Sequence, residues 1–382
     1  MISGINLGEM EMNNREKILK ENDYNLTSSQ YTAVVFGTMV GVSTISITKG
    51  IVRYAHQDLW ISTAVGAIFP IYIFILTMVI FKKSPGENIL TLNRKYFGKF
   101  AGGLLNLILL VYFLITLLII GNTYIDMITT FSAGFLSPFK VALAVFAVSA
   151  YAASNGLRVV AKVSQIALYL TFLLILPSIM ALKEAKIINI YPVFESGFSG
   201  IVNGGIEAFK QYLGIEIIFI IYPYLKQKDK MAKVTVNAIL LTTLVHVWIG
   251  FISVYYLGSD VILKSDWSFL LVTESVTISL INNFRYIFIL VWSLIILKSI
   301  SLYYSALLFC LKDFTSNKFQ YKILAFVVLP LLVLLCIEFE NIFPTEEILN
   351  FITISYEIYL IFLGTLMAIT VSIKSPKEQR KN

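Results

Sequence analysis

SSQYTAVVFGTMVGVSTISITKG, residues 28–50, decides the fold. The run is long and apolar enough to enter a bilayer, whose hydrocarbon core of roughly 30 Å takes about 20 helical residues to cross. Gly37, Gly41 and the adjacent Ser43 and Thr44 nevertheless interrupt it. Such residues let a helix unwind, and in lipid an unwound stretch survives only where protein or a cavity satisfies its backbone groups. A break here therefore points to a ligand site. Close packing of helices across small residues is the other reading. A second stretch, GIVNGGIEAFKQYLGIEIIFIIYPYLK at 200–226, repeats the pattern with Gly204, Gly205 and Gly214, and with Pro223 near its end.

The whole chain has the same character. Its 382 residues are 57% hydrophobic and 14% charged, with a mean hydropathy of +0.79, whereas soluble domains carry about 25% charged residues. Apolar runs fall at about 28–49, 60–81, 102–131, 138–153, 159–181, 201–225, 234–257, 285–311, 321–338 and 347–373. The expected fold is an all-α integral membrane protein of ten transmembrane helices. Residues 1–27 form an N-terminal tail, 28–373 the membrane domain, with halves at about 28–181 and 201–373, and 374–382 a basic tail. The opening residues lack the apolar core of a signal peptide, so the first span is read as a resident helix. The two interrupted spans stand at equivalent places in two halves of five and cross in opposite directions. That is the pattern of an inverted five-plus-five repeat with discontinuous helices 1 and 6. No residue-by-residue repeat between the halves is visible.

Charge sets the orientation. With the N-terminus in the cytoplasm, 21 Lys or Arg fall inside and 7 outside, as the positive-inside rule requires. Both termini are then cytoplasmic, and the loop carrying Glu338, Glu340, Glu346 and Glu347 is external. The net charge of +7 is thereby absorbed by membrane orientation and does not call for nucleic acid as a partner. Cys310 and Cys336 lie near opposite ends of neighbouring spans and are read as free thiols. No CxxC, HExxH, P-loop or nucleophile–base cluster occurs, so neither enzyme, metal nor cofactor is expected.

Lys210 and Lys298 lie inside apolar runs, where an ionisable group is costly and normally faces the bundle interior with a partner. Lys298 sits in IFILVWSLIILKSISLYYSALLF, too deep to reach either surface easily, and shares a helical face with Ser301 and Ser305. Glu207 and Lys210, three residues apart, can pair locally, and Gln211 and Gly214 extend that face. Asp126 and Glu357 lie near span ends, where exposure at an interface accounts for them. His246 is read as a structural histidine, with a proton relay as the alternative.

Three segments carry a family resemblance: QYTAVVFGTMVGVSTI (30–45), SPGENILTLNRKYFGKFAGGLLNLILLVYF (84–113) and YPVFESGFSGIVNGGIEAFKQYLGIEIIFIIYPYLKQKDK (191–230). The chain resembles the spore permease family, the membrane-embedded B subunits of spore germinant receptors within the amino acid–polyamine–organocation superfamily. The resemblance implies a LeuT-like fold, a spore inner membrane location, and a complex with an A subunit and a lipoprotein C subunit. It also implies detection of small-molecule germinants such as amino acids or sugars. Carried over by position, the ligand pocket takes Gly41, Val42, Ser43 and Thr44 from the first break and Leu213, Gly214 and Ile215 from the sixth-span break. Side chains of the third and eighth spans face them, Tyr112 and Thr116 from the third and Lys298 with Ser301 from the eighth. Sodium-coupled relatives hold a sodium ion between the first and eighth spans, and the resemblance implies that Lys298, with Ser301, fills that place with a fixed charge. The third span has no acid near its middle, so carbonyls at the first-span break are the expected partners of Lys298, with Glu216 as the alternative. Two functions remain: a germinant-sensing receptor subunit, and a proton-coupled amino-acid permease. Fold alone does not separate them.

Overall fold

The computed structural model describes residues 25–41, 48–274, 284–315 and 320–378. Residues 28–50 do not form one helix. α1 (Ser28–Met39) starts in a capping box, with the Thr27 hydroxyl accepting from the Gln30 N–H and the Gln30 side chain accepting from the Thr27 N–H. It stops at Met39, where Val40 turns extended (φ −98°, ψ 101°). Its 12 residues span about 18 Å, little more than half of a hydrocarbon core.

The next described helix, α2 (Thr48–Ala55), passes through a 3₁₀ turn at His56–Asp58 into α3 (Leu59–Gly66) and α4 (Ile68–Lys83). α5 (Ile89–Phe131) is 43 residues long and starts well before the apolar run expected at 102–131. The polar stretch ahead of that run is helical because Asn88 caps it through the Thr91 N–H. Gly98 (φ 78°, ψ −178°) then kinks the chain. Gly102 allows the two arms to fold close together, since a Cβ there would lie 2.3 Å from the Asn93 carbonyl oxygen.

α6 (Pro138–Ser154) and α7 (Leu157–Ile175) follow, α7 continuing as 3₁₀ helix to Lys183. Buried Asp58 pins the next loop by accepting from the backbone N–H of Phe194 (2.8 Å) and Ser196 (3.1 Å) and from the Ser196 hydroxyl (2.7 Å). α8 (Gly197–Glu207) runs as 3₁₀ helix to Tyr212. Beyond Gly214, a single turn at Ile215–Ile217 leads to α9 (Ile218–Ile221). Gly214 alone marks this break. Gly204 and Gly205 lie inside α8, where added Cβ atoms would meet the Ser62 hydroxyl at 2.7 Å and Val65 Cγ1 at 2.6 Å. Those two glycines serve close packing on α3, the small-residue role.

The remaining described helices are α10 (Met231–Leu257), α11 (Ser259–Leu263), α12 (Ser268–Glu274), α13 (Phe284–Phe314), α14 (Tyr321–Ile337), α15 (Phe339–Ile342) and α16 (Glu346–Glu378). Among the described residues, six helical segments are long and apolar enough to cross a membrane: 48–83, 89–131, 157–183, 228–257, 286–314 and 346–374. Pro138–Ser154, Ile215–Tyr224 and Tyr321–Ile337 are shorter apolar helices. Leu104, Leu244, Leu290 and Leu334 are each more than half exposed, a pattern suited to lipid and unfavourable in water. The bundle closes around α13, which packs on α1, α5, α6 and α7 and buries Trp292, Ile296, Tyr303 and Tyr304.

Candidate functional site

The two breaks touch. Gly214 adopts φ +110°, a conformation that L side chains rarely take, and an added Cβ would lie 2.5 Å from both the carbonyl carbon and oxygen of Thr38. The sixth-span break therefore rests directly on the last turn of α1. Below them, the segment before α1 pairs with the chain after α9: the Leu26 N–H donates to the Tyr224 carbonyl (2.8 Å) and the Lys226 N–H to the Leu26 carbonyl (2.9 Å).

Glu216, 1% exposed, braces the break from inside. One carboxylate oxygen accepts from the Gly214 N–H (2.7 Å) and the other from the Tyr112 hydroxyl (2.6 Å). This acid fixes Tyr112 of α5 to the unwound backbone, and no hydrogen bond to Lys298 is among its contacts. Lys298, also 1% exposed, donates instead to the Val40 carbonyl at 2.5 Å. That carbonyl belongs to the residue just past the end of α1, one residue before the Gly41–Thr44 stretch expected to supply it. The neighbouring Ser299 hydroxyl donates to the Gly37 carbonyl (3.4 Å).

Gly37 and Gly41 seat α13 against this end of α1. A Cβ at Gly37 would meet Lys298 Cδ at 2.9 Å, and one at Gly41 would meet the Ser299 hydroxyl at 2.7 Å. Helix unwinding and small-residue packing, alternatives in the sequence, are thus both present here.

Above the breaks lies a cavity of about 240 Å³, slightly below the range of about 300–1,000 Å³ typical of ligand pockets. Thr38, Met39 and Gly41 form one wall, and Tyr112, Ile115, Thr116, Ile119 and Ile120 of α5 form another. Lys210 and Leu213 contribute from the sixth span, Ser299 and Tyr303 from α13, and Ile352, Thr353 and Tyr356 from α16. Tyr112 and Tyr356 meet edge to face with centroids 4.7 Å apart. Lys210 is bonded to Glu207 at 2.6 Å and to Asn350 at 3.2 Å.

Four of the residues expected to bind ligand, Gly41, Tyr112, Thr116 and Leu213, line this one cavity. Gly214 and Ile215 are buried next to it without lining it. Val42, Ser43 and Thr44 lie outside the described residues. Lys298 stands behind the first break, and Ser301 turns away to its own helix, donating to the Leu297 carbonyl at 2.8 Å. Ser299 takes the position expected of Ser301. A serine in a membrane helix bonds readily to the carbonyl four residues back, so helical spacing from Lys298 did not distinguish the two.

Lys210 was legible only as half of a local pair, and the α16 side chains gave no sequence signal. His246 meets Tyr212 edge to face with centroids 5.2 Å apart, and neither ring nitrogen has a hydrogen-bond partner among the described residues. Asp126 accepts from Asn122 at 3.3 Å. Glu357 is only 6% exposed and does not sit at an open interface. Both cysteines are free and buried, and no metal-binding cluster of His, Cys, Asp or Glu is found among the described residues.

Residues 25–343 match the family described as spore germination protein. The chain is 24% identical over 281 residues to spore germination protein GerQB of Bacillus cereus, a match covering 73% of this chain and 77% of the relative. It is 23% identical over 230 residues to spore germination protein B2 of Bacillus subtilis strain 168, covering 60% and 62%. Among solved structures it superposes on MhsT in complex with L-phenylalanine with a TM-score of 0.66 at 15% identity, covering 90% of this chain and 88% of that one. It superposes on a Na⁺-coupled sialic acid symporter with a TM-score of 0.65 at 13% identity, covering 93% and 91%. At these identities the structural likeness shows the fold, which is LeuT-like.

Proposed function

Since the chain belongs to the spore germination protein family, we propose that it is the membrane-embedded, nutrient-sensing subunit of a germinant receptor, binding a small molecule in the cavity at its two helix breaks. The observation that carries this reading is the convergence of Gly41, Tyr112, Thr116 and Leu213 on one cavity, next to non-helical backbone at Val40 and Gly214. Non-helical backbone in a membrane bundle is a feature of ligand sites, and here Lys298 and Glu216 hold it in place beside the cavity. The hydroxyls of Thr38, Thr116, Thr353 and Tyr356 add hydrogen-bonding capacity, and the isoleucines of α5 accept an apolar body.

In this proposal the protein lies in the spore inner membrane with both termini in the cytoplasm, and it acts with an A subunit and a lipoprotein C subunit. Lys298 supplies a fixed positive charge between α1 and α13, where sodium-coupled relatives bind their ion, so the response needs no sodium. The bond to the Val40 carbonyl links that charge to the first break, and through it to the cavity.

The fold shared with solved transporters favours one second reading, a proton-coupled amino-acid permease. Reconstituted vesicles separate the two. A sensor binds its nutrient without accumulating it and needs its partner subunits to respond, whereas a permease accumulates substrate alone. Gly41→Leu tests the site itself. A single Cβ at Gly41 would already come within 2.7 Å of the Ser299 hydroxyl, and a leucine adds bulk at the cavity wall, so this variant should reach the membrane and lose its nutrient response. A full response would move the site elsewhere.

A further inference from the structure

Lys210 is the single charged side chain lining the cavity among the described residues. It sits where the outer half of the sixth span faces α16, its ammonium held by Glu207 on its own helix and by Asn350 of α16. An ammonium has three donors, and these two bonds leave one for a ligand. Glu207 is itself fixed in place, because it packs on α2: a Cβ at Gly50 would lie 2.7 Å from the Glu207 carboxylate oxygen. The lysine side chain, 14% exposed, is thus partly desolvated and anchored at two points, with Glu207 bonded to it and the buried Glu357 of α16 within electrostatic reach of both. An anchored donor of this kind recognises an acceptor with little further loss of side-chain freedom.

We propose that Lys210 makes this site selective for ligands that carry a carboxylate, its free N–H receiving the acid group while the apolar body packs against Ile115, Ile119 and Leu213. The proposal rests on the reading that the ligand occupies the cavity at the helix breaks. A charge-assisted hydrogen bond contributes about 1.5–3 kcal/mol, which corresponds to a preference of about tenfold or more for an acid over its uncharged-headgroup analogue. Glu207 and Glu357 temper that preference, because negative charge on either opposes an approaching carboxylate.

The test uses the full-length protein in lipid nanodiscs and two matched pairs of probes, L-leucine with L-leucinamide and L-phenylalanine with L-phenylalaninamide, with affinities measured calorimetrically. In the wild type at least one acid should bind about tenfold or more tightly than its amide. Lys210→Gln should bring the pair to near equality by weakening the acid alone, and Lys210→Arg should keep part of the preference. Glu207→Gln should strengthen acid binding and leave the amide unchanged, which a purely structural role for the pair would not produce. Equal affinities in the wild type, an acid preference that survives Lys210→Gln, or no binding of either acid would overturn the proposal. Gly41→Leu tells its failure from failure of the underlying reading. If that variant loses acid and amide alike while Lys210→Gln changes neither, the cavity stands and the selector is wrong. If it binds both normally, the cavity reading itself falls.

Discussion

Gly214→Ala is the smallest change that should separate the two breaks. The new methyl carbon would stand 2.5 Å from the Thr38 carbonyl carbon and oxygen and 2.9 Å from the Met39 nitrogen. All three are backbone atoms of α1, so no side-chain rotation relieves the contact. Restoring an ordinary carbon–carbon separation of about 3.5 Å requires α1 and the sixth-span break to part by about 1 Å. Holding alanine at φ +110° adds left-handed strain of about 1–2 kcal/mol, and overpacking a well-filled site costs about 1–3 kcal/mol. The combined destabilisation is about 2–5 kcal/mol. Fluorescence-detected size exclusion after heating should show a midpoint lower by several degrees, and nutrient response should fall, because Thr38 and Leu213 both line the cavity. Gly86→Ala serves as the control, as nothing lies within 4 Å of a Cβ there. A Gly214→Ala protein with wild-type heat resistance and full response would refute the contact between the breaks.

Lys298→Met keeps side-chain length but leaves the Val40 carbonyl without its donor, a loss of about 1–3 kcal/mol; signalling or assembly should be impaired in spore germination assays. Lys298→Arg should also fail, because Gly37 packs directly on the lysine stem and a planar guanidinium needs more room. Replacing sodium with potassium should leave the wild-type response unchanged, and a sodium-dependent response would remove the fixed-charge account. Gly102→Ala and Gly103→Ala should diverge although adjacent: the first drives a methyl into the Asn93 backbone and the second meets only Arg94 at 4.0 Å, so heat resistance should drop in the first alone. Cysteines introduced at Ser375 and Glu346 should react with an impermeant thiol reagent from opposite sides of the membrane; labelling from the same side would end the ten-span topology.

The breaks and the deep lysine were readable because each violates what a membrane helix otherwise does. Gly41 and Gly214 stand where a helix has no need of glycine, and Lys298 where charge is costly. The rest of the cavity follows no such exception. Ile115, Ile119 and Ile120 look in sequence like any lipid-facing isoleucine, since hydrocarbon tails and a ligand's apolar body ask for the same side chains. Tyr356 and Thr353 reach the site because α16 leans over the sixth span, a tertiary fact with no local trace. Gly204 and Gly205 carried the same signature as Gly214, and only the proximity of Ser62 and Val65 separates packing glycines from a breaking one. The helical start of α5 was hidden because its residues are polar, and its support comes from distant groups. Arg94 donates to the Asp313 carboxylate at 2.7 Å and Asn106 to the same group at 2.8 Å.

The central claim is that nutrient binds in the cavity between the two breaks, and Thr116→Cys tests it most directly. Thr116 lines that cavity, and the native Cys310 and Cys336 are buried, so a thiol reagent should report on the new site with little background. Labelling is timed in the full-length protein with and without the nutrient that triggers spores carrying it. The account predicts that saturating nutrient slows labelling of Thr116→Cys in proportion to occupancy and leaves the rate at a lipid-facing cysteine, such as Leu244→Cys, unchanged. Unaltered labelling of Thr116→Cys, in a protein shown to bind that nutrient, would contradict it.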